Sequence, residues 1–219
     1  MSEVKPEYHD FVIKDGILIG DFEGLYKNVD DPWHQSRKDH IFDTRRQICI
    51  LACQGAKNLF GSNRVLEVGC GFGFLTDQIA KLGFETLGTD ISPAAIDGAF
   101  RKNPNSNFKV APYNDFSIIE DFNPDIIIMS EITWYVLNSL DDFLLDIKSF
   151  AKERNSPFFL IHILSTYKDS VQRYGRDKFT NLAGIKEYFD LDYLEAGYIE
   201  VKRPDDDGSQ GTYFIAQIS

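Results

Sequence analysis

We predict an α/β protein built on a doubly wound, mostly parallel seven-stranded sheet, preceded by an N-terminal extension. Strand-like and helix-like patterns alternate from about residue 64 onward, which is typical of helices that connect parallel strands. Residues 126–129 form a continuous apolar run, as expected for a parallel strand covered on both faces. A short acidic turn joins the last two strands, so we expect them to pair antiparallel, because a parallel return needs a longer crossover.

Local signals place the elements in order along the chain. An Asp-Gly pair between two short apolar runs predicts a hairpin over residues 11–19, and amphipathic spacing predicts a helix over about 41–60, ended by Gly61. Ser92 supplies an N-cap for a later helix. The predicted sheet strands cover residues 65–69, 86–89, 108–111, 125–129, 158–163, 193–201 and 212–218. The predicted helices between them cover about 74–82, 92–102, 140–151 and 182–189.

Length and composition set the broad class. A chain of 219 residues fits one domain, and we divide it into an N-terminal extension, residues 1–40, and a main domain, residues 41–219. Three cysteines without a framework spacing, and an opening segment too polar for a signal peptide, indicate a reduced cytoplasmic setting. The formal net charge of −11 repels phosphate backbones and anionic membranes. We therefore expect no nucleic-acid or membrane partner, a monomer or homodimer, and no metal site.

A glycine turn after the first sheet strand carries the most information about ligands. Gly69, Gly71 and Gly73 allow the backbone to approach a ligand closely, and the helix that follows offers free N–H groups. Asp90 closes the next strand, where an acid is placed to accept hydrogen bonds from a ribose. Glu67, two residues before the first glycine, would repel a pyrophosphate but suits a cationic ligand. The glycine spacing also differs from the dinucleotide fingerprint, and no Walker lysine follows.

Residues 66–73, Leu-Glu-Val-Gly-Cys-Gly-Phe-Gly, resemble the first motif of the class I S-adenosylmethionine-dependent methyltransferases. Further segments that resemble this family follow in order at residues 88–92, 114–116 and 124–131, and the resemblance covers about residues 64–219. It implies S-adenosyl-L-methionine as the cofactor and S-adenosyl-L-homocysteine as its product. The expected Rossmann-like sheet has the strand order 3-2-1-4-5-7-6, counted from its own first strand, with the last strand antiparallel.

The resemblance also implies a role for each matching position. Gly69 and Gly71 would lie against the methionine and adenosine parts, and Glu67 would lie near the methionine amino group. Asp90 would bind both ribose hydroxyls, with Ile91 against the adenine. The residues implied in cofactor binding are Glu67, Gly69, Cys70, Gly71, Asp90, Ile91, Asn114, Asp115, Phe116 and Ser130.

Residues beyond the carboxyl ends of the strands are candidates for contact with a methyl acceptor, because ligands of open α/β sheets lie there. Glu131, Trp134 and Tyr135 follow the fourth sheet strand, and His162 lies near the end of the fifth. Each has a structural alternative: the two aromatic residues would pack the next helix, Glu131 would be a solvated or capping acid, and His162 would be a core residue. The candidate catalytic bases are Glu131 and His162, and the candidate acceptor-binding residues are Tyr26, Trp33, Trp134 and Tyr135.

Tyr26, followed by Asp-Pro-Trp at residues 31–33, resembles the nodulation-type small-molecule N-methyltransferases, which act on sugar-derived substrates. The polar segment 165–178 is a candidate lid. We predict transfer of a methyl group to an oxygen or nitrogen of a small molecule, such as a sugar-derived compound or a precursor of a cell-surface or secondary metabolite. Two alternatives stay open: a nucleotide-dependent oxidoreductase, and a binding module that holds S-adenosylmethionine without catalysis.

Overall fold

The computed structural model of the chain describes residues 8–36, 43–167, 174–175, 177–199 and 209–219. Some of the sequence predictions lie wholly or partly outside these residues. Among them are the boundary at residue 40 between extension and main domain, most of the candidate lid after residue 167, and the acidic turn before the last strand. The first two residues of the helix predicted over 41–60 and the last two of the strand predicted over 193–201 lie outside them as well.

Helices and strands alternate through the main part of the chain as predicted. The N-terminal part contains α1 (Tyr8–Phe11), β1 (Ile13–Lys14), β2 (Ile17–Leu18), α2 (Phe22–Asn28) and α3 (Thr44–Phe60). The strands of the large sheet are β3 (Arg64–Val68), β4 (Glu85–Asp90), β5 (Phe108–Val110), β6 (Ile126–Ser130), β7 (Phe158–Tyr167), β8 (Asp192–Ile199) and β9 (Ser209–Ile218). The helices between them are α4 (Phe74–Ala80), α5 (Pro93–Lys102), α6 (Phe116–Phe122), α7 (Thr133–Val136), α8 (Leu140–Lys152) and α9 (Leu182–Phe189).

The large sheet has seven strands in the order β5-β4-β3-β6-β7-β9-β8. Counted from β3 as the first strand, this order is 3-2-1-4-5-7-6, as predicted. The strands from β5 to β7 pair parallel, whereas β9 pairs antiparallel with both β7 and β8. Strand order reverses between β3 and β6, and an open α/β sheet binds its ligands at such a switch point.

The sheet separates two hydrophobic cores. In β6, Ile126 and Ile128 contact one core together with Cys53 of α3, whereas Ile127 and Met129 contact the core on the other face. All four β6 side chains are fully buried. Alternate residues of a strand point to opposite faces, so a strand covered on both faces must be apolar throughout. This explains the apolar run from which the strand was predicted.

The small elements show where local sequence signals succeed and where they fail. The predicted hairpin is confirmed, with left-handed φ values of 53° at Asp15 and 79° at Gly16 between β1 and β2. Helices α1, α2, α6 and α7 were not predicted, because they have only four to seven residues, too few to show a periodic pattern. Helix α4 is equally short with seven residues, but glycines at 73 and 83 mark its two ends. Strand β7 runs four residues beyond its predicted end, because its polar residues pair with β9 as far as Tyr167 opposite Ser209.

Two glycines provide a matched test of this packing. Gly73 and Gly61 have left-handed φ values of 72° and 77°. A Cβ atom at Gly73 would lie 2.2 Å from Cε1 of Phe108, whereas at Gly61 nothing lies within 4 Å. We expect Gly61→Ala to lower the free energy of unfolding by about 1 kcal/mol through backbone strain alone. Gly73→Ala should cost about 3 kcal/mol, because overpacking is added. Urea denaturation measures both, and equal losses would contradict the packing described.

Candidate cofactor and acceptor site

The glycine turn joins β3 to α4 at the carboxyl edge of the sheet. Gly69, Gly71 and Gly73 have φ values of 71°, 55° and 72°, a conformation that residues with a Cβ adopt only at a cost. The backbone N–H of Cys70 donates to the carbonyl oxygen of Thr89 at 2.8 Å, which fastens the turn to β4. Glycine therefore stands where the backbone geometry requires it, and the turn is held beside the end of β4.

Asp90 ends β4 on one side of this turn and is 7% exposed. Its Oδ2 accepts a hydrogen bond from the N–H of Gly71 at 2.9 Å, and its Oδ1 accepts one from the N–H of Ser92 at 3.0 Å. Burial raises the pKa of Asp90, and the backbone hydrogen bonds oppose that rise. Because a carboxylate has about four acceptor sites, Asp90 still has capacity to accept from a ligand hydroxyl.

Glu67 lies within β3 on the other side of the turn and is 5% exposed. The hydroxyl of Thr76 in α4 donates to its Oε2. Burial raises the pKa of Glu67 to about 7, the Thr76 hydrogen bonds and the charge of Arg46 oppose the rise, and the charge of Asp90 adds to it. A cation placed against Glu67 would favour its ionised form, whereas an anion would be repelled. The site therefore suits a positively charged group.

The residues implied in adenine binding lie where β4 and β5 end. Ile91 is 57% exposed directly after Asp90, and the backbone after β5 donates a hydrogen bond to the Asp90 carbonyl at 3.0 Å. In the loop that follows, Asn114 is exposed, whereas Asp115 and Phe116 are half-buried at the start of α6. The fold thus brings this second acidic loop beside the end of β4, although 24 residues separate Asp90 from Asn114 (114 − 90).

Ser130 ends β6 half-buried, and Glu131 follows with a left-handed φ of 60°. Oε1 of Glu131 lies 2.8 Å from Nε of Arg45 and accepts from the Ser165 hydroxyl at 2.9 Å. Oε2 accepts from the backbone N–H of Ser165 at 2.8 Å. The Glu131 side chain is 36% exposed. The structure therefore places Glu131 at the edge of the cleft, with its oxygens already engaged by the Arg45 guanidinium and by two hydrogen bonds from Ser165.

His162 does not lie at the cleft. It is fully buried, its ring stacks on Phe214 with centroids 4.6 Å apart, and its Nε2 lies 2.7 Å from Oγ1 of Thr133. Burial lowers the pKa of His162 to about 3, so the ring is neutral near neutral pH. A base must come within hydrogen-bond reach of the proton that it removes, and this ring is enclosed by the core. His162 is therefore a core residue, and the expectation that it acts as a catalytic base is corrected.

The two aromatic residues of α7 have different environments. Trp134 is 6% exposed, packs on Phe179 with centroids 5.3 Å apart, and donates from its indole N–H to the Ser165 carbonyl at 2.8 Å. Tyr135 is half-buried and faces the N-terminal part of the chain, where its ring contacts Trp33. Trp134 is thus a packing residue, as in the structural alternative, whereas Tyr135 stays partly exposed beside the N-terminal part of the chain.

The N-terminal part of the chain covers the glycine turn. The Trp33 indole N–H donates to the hydroxyl of Tyr26 at 2.8 Å, and a Cβ atom at Gly71 would lie only 2.6 Å from that hydroxyl oxygen. Phe22 contacts the edge of the Tyr135 ring at a centroid distance of 5.3 Å. The residues predicted from the extension therefore do converge on the carboxyl edge of the sheet, where Tyr26 lies over the turn and Trp33 supports it.

Two further residues near the turn were missed by the sequence analysis. Gln35 accepts from the Phe72 N–H at 2.8 Å and donates to the Cys70 carbonyl at 3.3 Å. Glu23 in α2 accepts from the hydroxyl of Ser92, the N-cap of α5, at 2.6 Å. The bonded partners are 37 and 69 residues apart for the Phe72 and Ser92 contacts. No local motif marks either residue, so only the tertiary structure reveals them.

Arg46 contributes a positive charge that lowers the pKa of Glu67. It donates to the backbone carbonyl of Gln35 at 2.9 Å, lies 3.3 Å from the Asp43 carboxylate, and has a side chain that is 14% exposed. Cys70, which the resemblance places near the cofactor, is a fully buried free thiol, so its contribution to a ligand surface is its backbone.

Within the part of the chain that the structure describes, no group of three or more His, Cys, Asp or Glu side chains is arranged to hold a metal ion. In the same described segments, no helix is long and apolar enough to cross a membrane.

Comparisons with known proteins agree on one class. Residues 66–155 match the family model of a methyltransferase domain. Two curated relatives are the mitochondrial ubiquinone biosynthesis O-methyltransferase of Schizosaccharomyces pombe, 33% identical over 29% of this chain, and the ubiquinone biosynthesis O-methyltransferase of Actinobacillus pleuropneumoniae, 34% identical over 46% of this chain. The matches span 23% and 41% of those relatives, less than half of either.

Solved structures show the same fold at low sequence identity. The N-methyltransferase NodS from Bradyrhizobium japonicum WM9, in complex with S-adenosyl-L-homocysteine, has a TM-score of 0.64 and 17% identity, with 90% of this chain and 97% of that chain covered. Magnesium protoporphyrin IX methyltransferase from Synechocystis PCC 6803, with bound S-adenosylmethionine, has a TM-score of 0.54 and 17% identity, with 94% and 87% covered.

Residues 66–155 thus match a methyltransferase domain, and the sheet has the fold of solved methyltransferases that bind S-adenosylmethionine or S-adenosyl-L-homocysteine. To this extent the comparisons confirm the resemblance predicted from the sequence. The chain is similar to O-methyltransferases in sequence and to an N-methyltransferase in structure.

Glu67 should make stability depend on pH in a characteristic direction. Its pKa in the folded protein is raised from 4.5 to about 7, so folding favours the protonated form and stability falls as pH rises between these values. Glu67→Gln retains an acceptor for Thr76 but carries no charge. We therefore expect the free energy of unfolding of this variant, measured relative to the wild type, to rise by about 2–3 kcal/mol when the pH is raised from 5 to 8. Urea denaturation at both pH values measures this, and a pH-independent difference would contradict it.

Proposed function

We propose that this protein transfers a methyl group from S-adenosyl-L-methionine to an oxygen or nitrogen of a small molecule. One observation carries the proposal: a glycine turn at the switch point of the sheet lies between two buried acids, Glu67 and Asp90. The chain covers less than half of its curated relatives, so their named activities support this proposal only as analogies.

The residues present fit this cofactor. Glu67 would hold the cationic methionine amino group, and its buried carboxylate gains most from a positive partner. Asp90 would accept from the ribose hydroxyls, and the open glycine turn would allow close approach of the methionine part. Arg46, whose charge lowers the pKa of Glu67, would pair with the methionine carboxylate. A dinucleotide fits less well, because Glu67 and Asp90 would repel its pyrophosphate.

On the adenine side, the geometry supports the roles that the resemblance implies. Ile91 presents an exposed apolar surface beyond Asp90, and Phe116 is half-buried across the same loop. Asn114 or Asp115 would form a hydrogen bond with the adenine amine. We keep both candidates because their contacts do not favour one over the other. The backbone at Ser130 would form the floor below the sulfur.

When bound, the cofactor supplies the activated methyl group, and the protein contributes alignment and exclusion of water. Tyr26 and Trp33 cover the glycine turn and would exclude water from the reacting atoms. Oε2 of Glu131 accepts one hydrogen bond, from the Ser165 N–H, and retains capacity to accept another, so we assign Glu131 to orienting the acceptor. An acceptor that reacts as a neutral amine or an anion then needs no protein base.

The half-buried rings of Phe22, Trp33 and Tyr135 support an acceptor with a ring of its own, either a sugar or an aromatic compound. Rings of this kind offer large apolar faces to a flat partner. The net charge of −11 favours a small-molecule acceptor over nucleic acid. A cytoplasmic location and a monomeric or dimeric state remain part of the proposal.

The binding test compares two matched acid-to-amide variants. We expect S-adenosyl-L-homocysteine to bind the wild type and Asp90→Asn to weaken binding at least tenfold, because a buried acceptor is lost. Asp97→Asn removes the same charge from an exposed position of α5 and should bind within twofold of the wild type. Calorimetry at pH 8 gives each Kd, and a folded wild type that binds neither S-adenosyl-L-homocysteine nor S-adenosyl-L-methionine would refute the proposal.

Catalysis is tested with isotopically methyl-labelled S-adenosyl-L-methionine and a panel of acceptors that contains catechols, amino sugars and simple carboxylic acids. Label in any acceptor excludes a module without catalysis, and the atom labelled separates O- from N-methylation. Quenching of NADH fluorescence by the protein, without binding of the methyl donor, would instead favour the oxidoreductase.

A further inference from the structure

The turn that follows β6 is fastened to β7 by several side chains. The backbone N–H of Glu131 donates to the Ile163 carbonyl at 2.8 Å, and the Glu131 carboxylate accepts from both donors of Ser165. Trp134 donates to the Ser165 carbonyl at 2.8 Å. Glu131 and Trp134 are thus both fastened to the carboxyl-terminal half of β7.

Thr133 and His162 form the buried centre of this attachment. Oγ1 of Thr133 and Nε2 of His162 are 2.7 Å apart, and both residues are fully buried. Phe214 stacks on the imidazole with an interplanar angle of 12°, and Phe189 packs against it with centroids 4.8 Å apart. Because the two rings fix the imidazole, its Nε2 is a fixed partner for Thr133.

The same turn reaches the cofactor side of the sheet. A Cβ atom at Gly69 would lie 2.5 Å from Cγ2 of Ile132, so Ile132 packs directly on the glycine turn. Glu131, one residue earlier, has a φ of 60°. A residue with a Cβ adopts this conformation at a cost and keeps it only when the surrounding contacts impose it. The contacts of this turn with β7 are the ones that impose it here.

We infer that the Thr133–His162 hydrogen bond is a positioning element that holds Ile132 and Glu131 as the wall of the cofactor cleft. The inference rests on the proposed function, because it assigns the bond a role in cofactor affinity. His162 acts through Thr133 and touches no ligand. If the bond has a purely structural role, its loss lowers stability alone. If it has a positioning role, its loss also lowers affinity for the cofactor.

The chain offers a matched control for the loss of this bond. Thr212 is also fully buried, and its hydroxyl donates to the Leu164 carbonyl at 2.8 Å, on the same strand β7. Thr212→Val therefore removes one buried hydroxyl hydrogen bond of similar length and leaves the turn after β6 unchanged. Thr133→Val removes the positioning bond, and Thr133→Ser retains its hydroxyl.

The experiment measures the Kd of S-adenosyl-L-homocysteine by calorimetry and the Tm of each variant. We expect both valine variants to lower Tm, since each loses a buried hydrogen bond. Thr133→Val should weaken binding about five- to tenfold, whereas Thr133→Ser and Thr212→Val should stay within twofold of the wild type. His162→Phe, which keeps the aromatic stacking, should weaken binding as Thr133→Val does, and the double variant should show little further loss.

Three outcomes would overturn the inference. Binding by Thr133→Val within twofold of the wild type would show that the bond does not position the cleft. Equal weakening by Thr133→Val and Thr212→Val would show a general effect of stability. Failure of the wild type to bind S-adenosyl-L-homocysteine would refute the proposed function, and the positioning role with it.

Discussion

The burial of two carboxylates beside one glycine turn is the constraint on which the site depends. Glu67 and Asp90 lie at the ends of neighbouring strands, and burial raises the pKa of both. Burying a charge is unfavourable unless hydrogen bonds or an opposite charge compensate it. Here the backbone of the turn and the hydroxyl of Thr76 compensate in part, and a cationic ligand would compensate the rest. The buried carboxylates thus destabilise the protein without a ligand, and binding of a cationic cofactor would remove part of that unfavourable energy.

Two separate parts of the chain surround these acids and close the cleft. On one side, the N-terminal part reaches the turn through Gln35 and reaches α5 through Glu23. On the other side, the turn after β6 packs Ile132 on Gly69 and is itself held by β7. The acceptor would meet the cofactor between these two walls, where Tyr135 is half-buried. In the proposed site, binding of the cofactor would therefore be coupled to packing of the core through a few buried hydrogen bonds.

Most of the sheet could be predicted from the sequence, because its signals are local. Apolar runs marked β6 and β7, glycine spacing marked the turn after β3, and an Asp-Gly pair marked the hairpin. The strand order also matched the expectation. The short helices α1, α2, α6 and α7 escaped prediction, because so few residues carry too little periodicity, whereas the equally short α4 was marked by the glycines at its ends. Strand β7 was predicted too short, because pairing with β9 stabilises its polar end.

The sequence by itself determined the fold class, the place of the glycine turn and the acids that flank it. These features depend on residue type at fixed spacing, which the chain carries locally. Only the tertiary structure decided which strand-end residues face the cleft. It placed His162 and Trp134 in the core, left Glu131 and Tyr135 at the edge, and brought Gln35 to the turn. The reason is physical: burial and long-range hydrogen bonds belong to the packed chain, and no single segment encodes them.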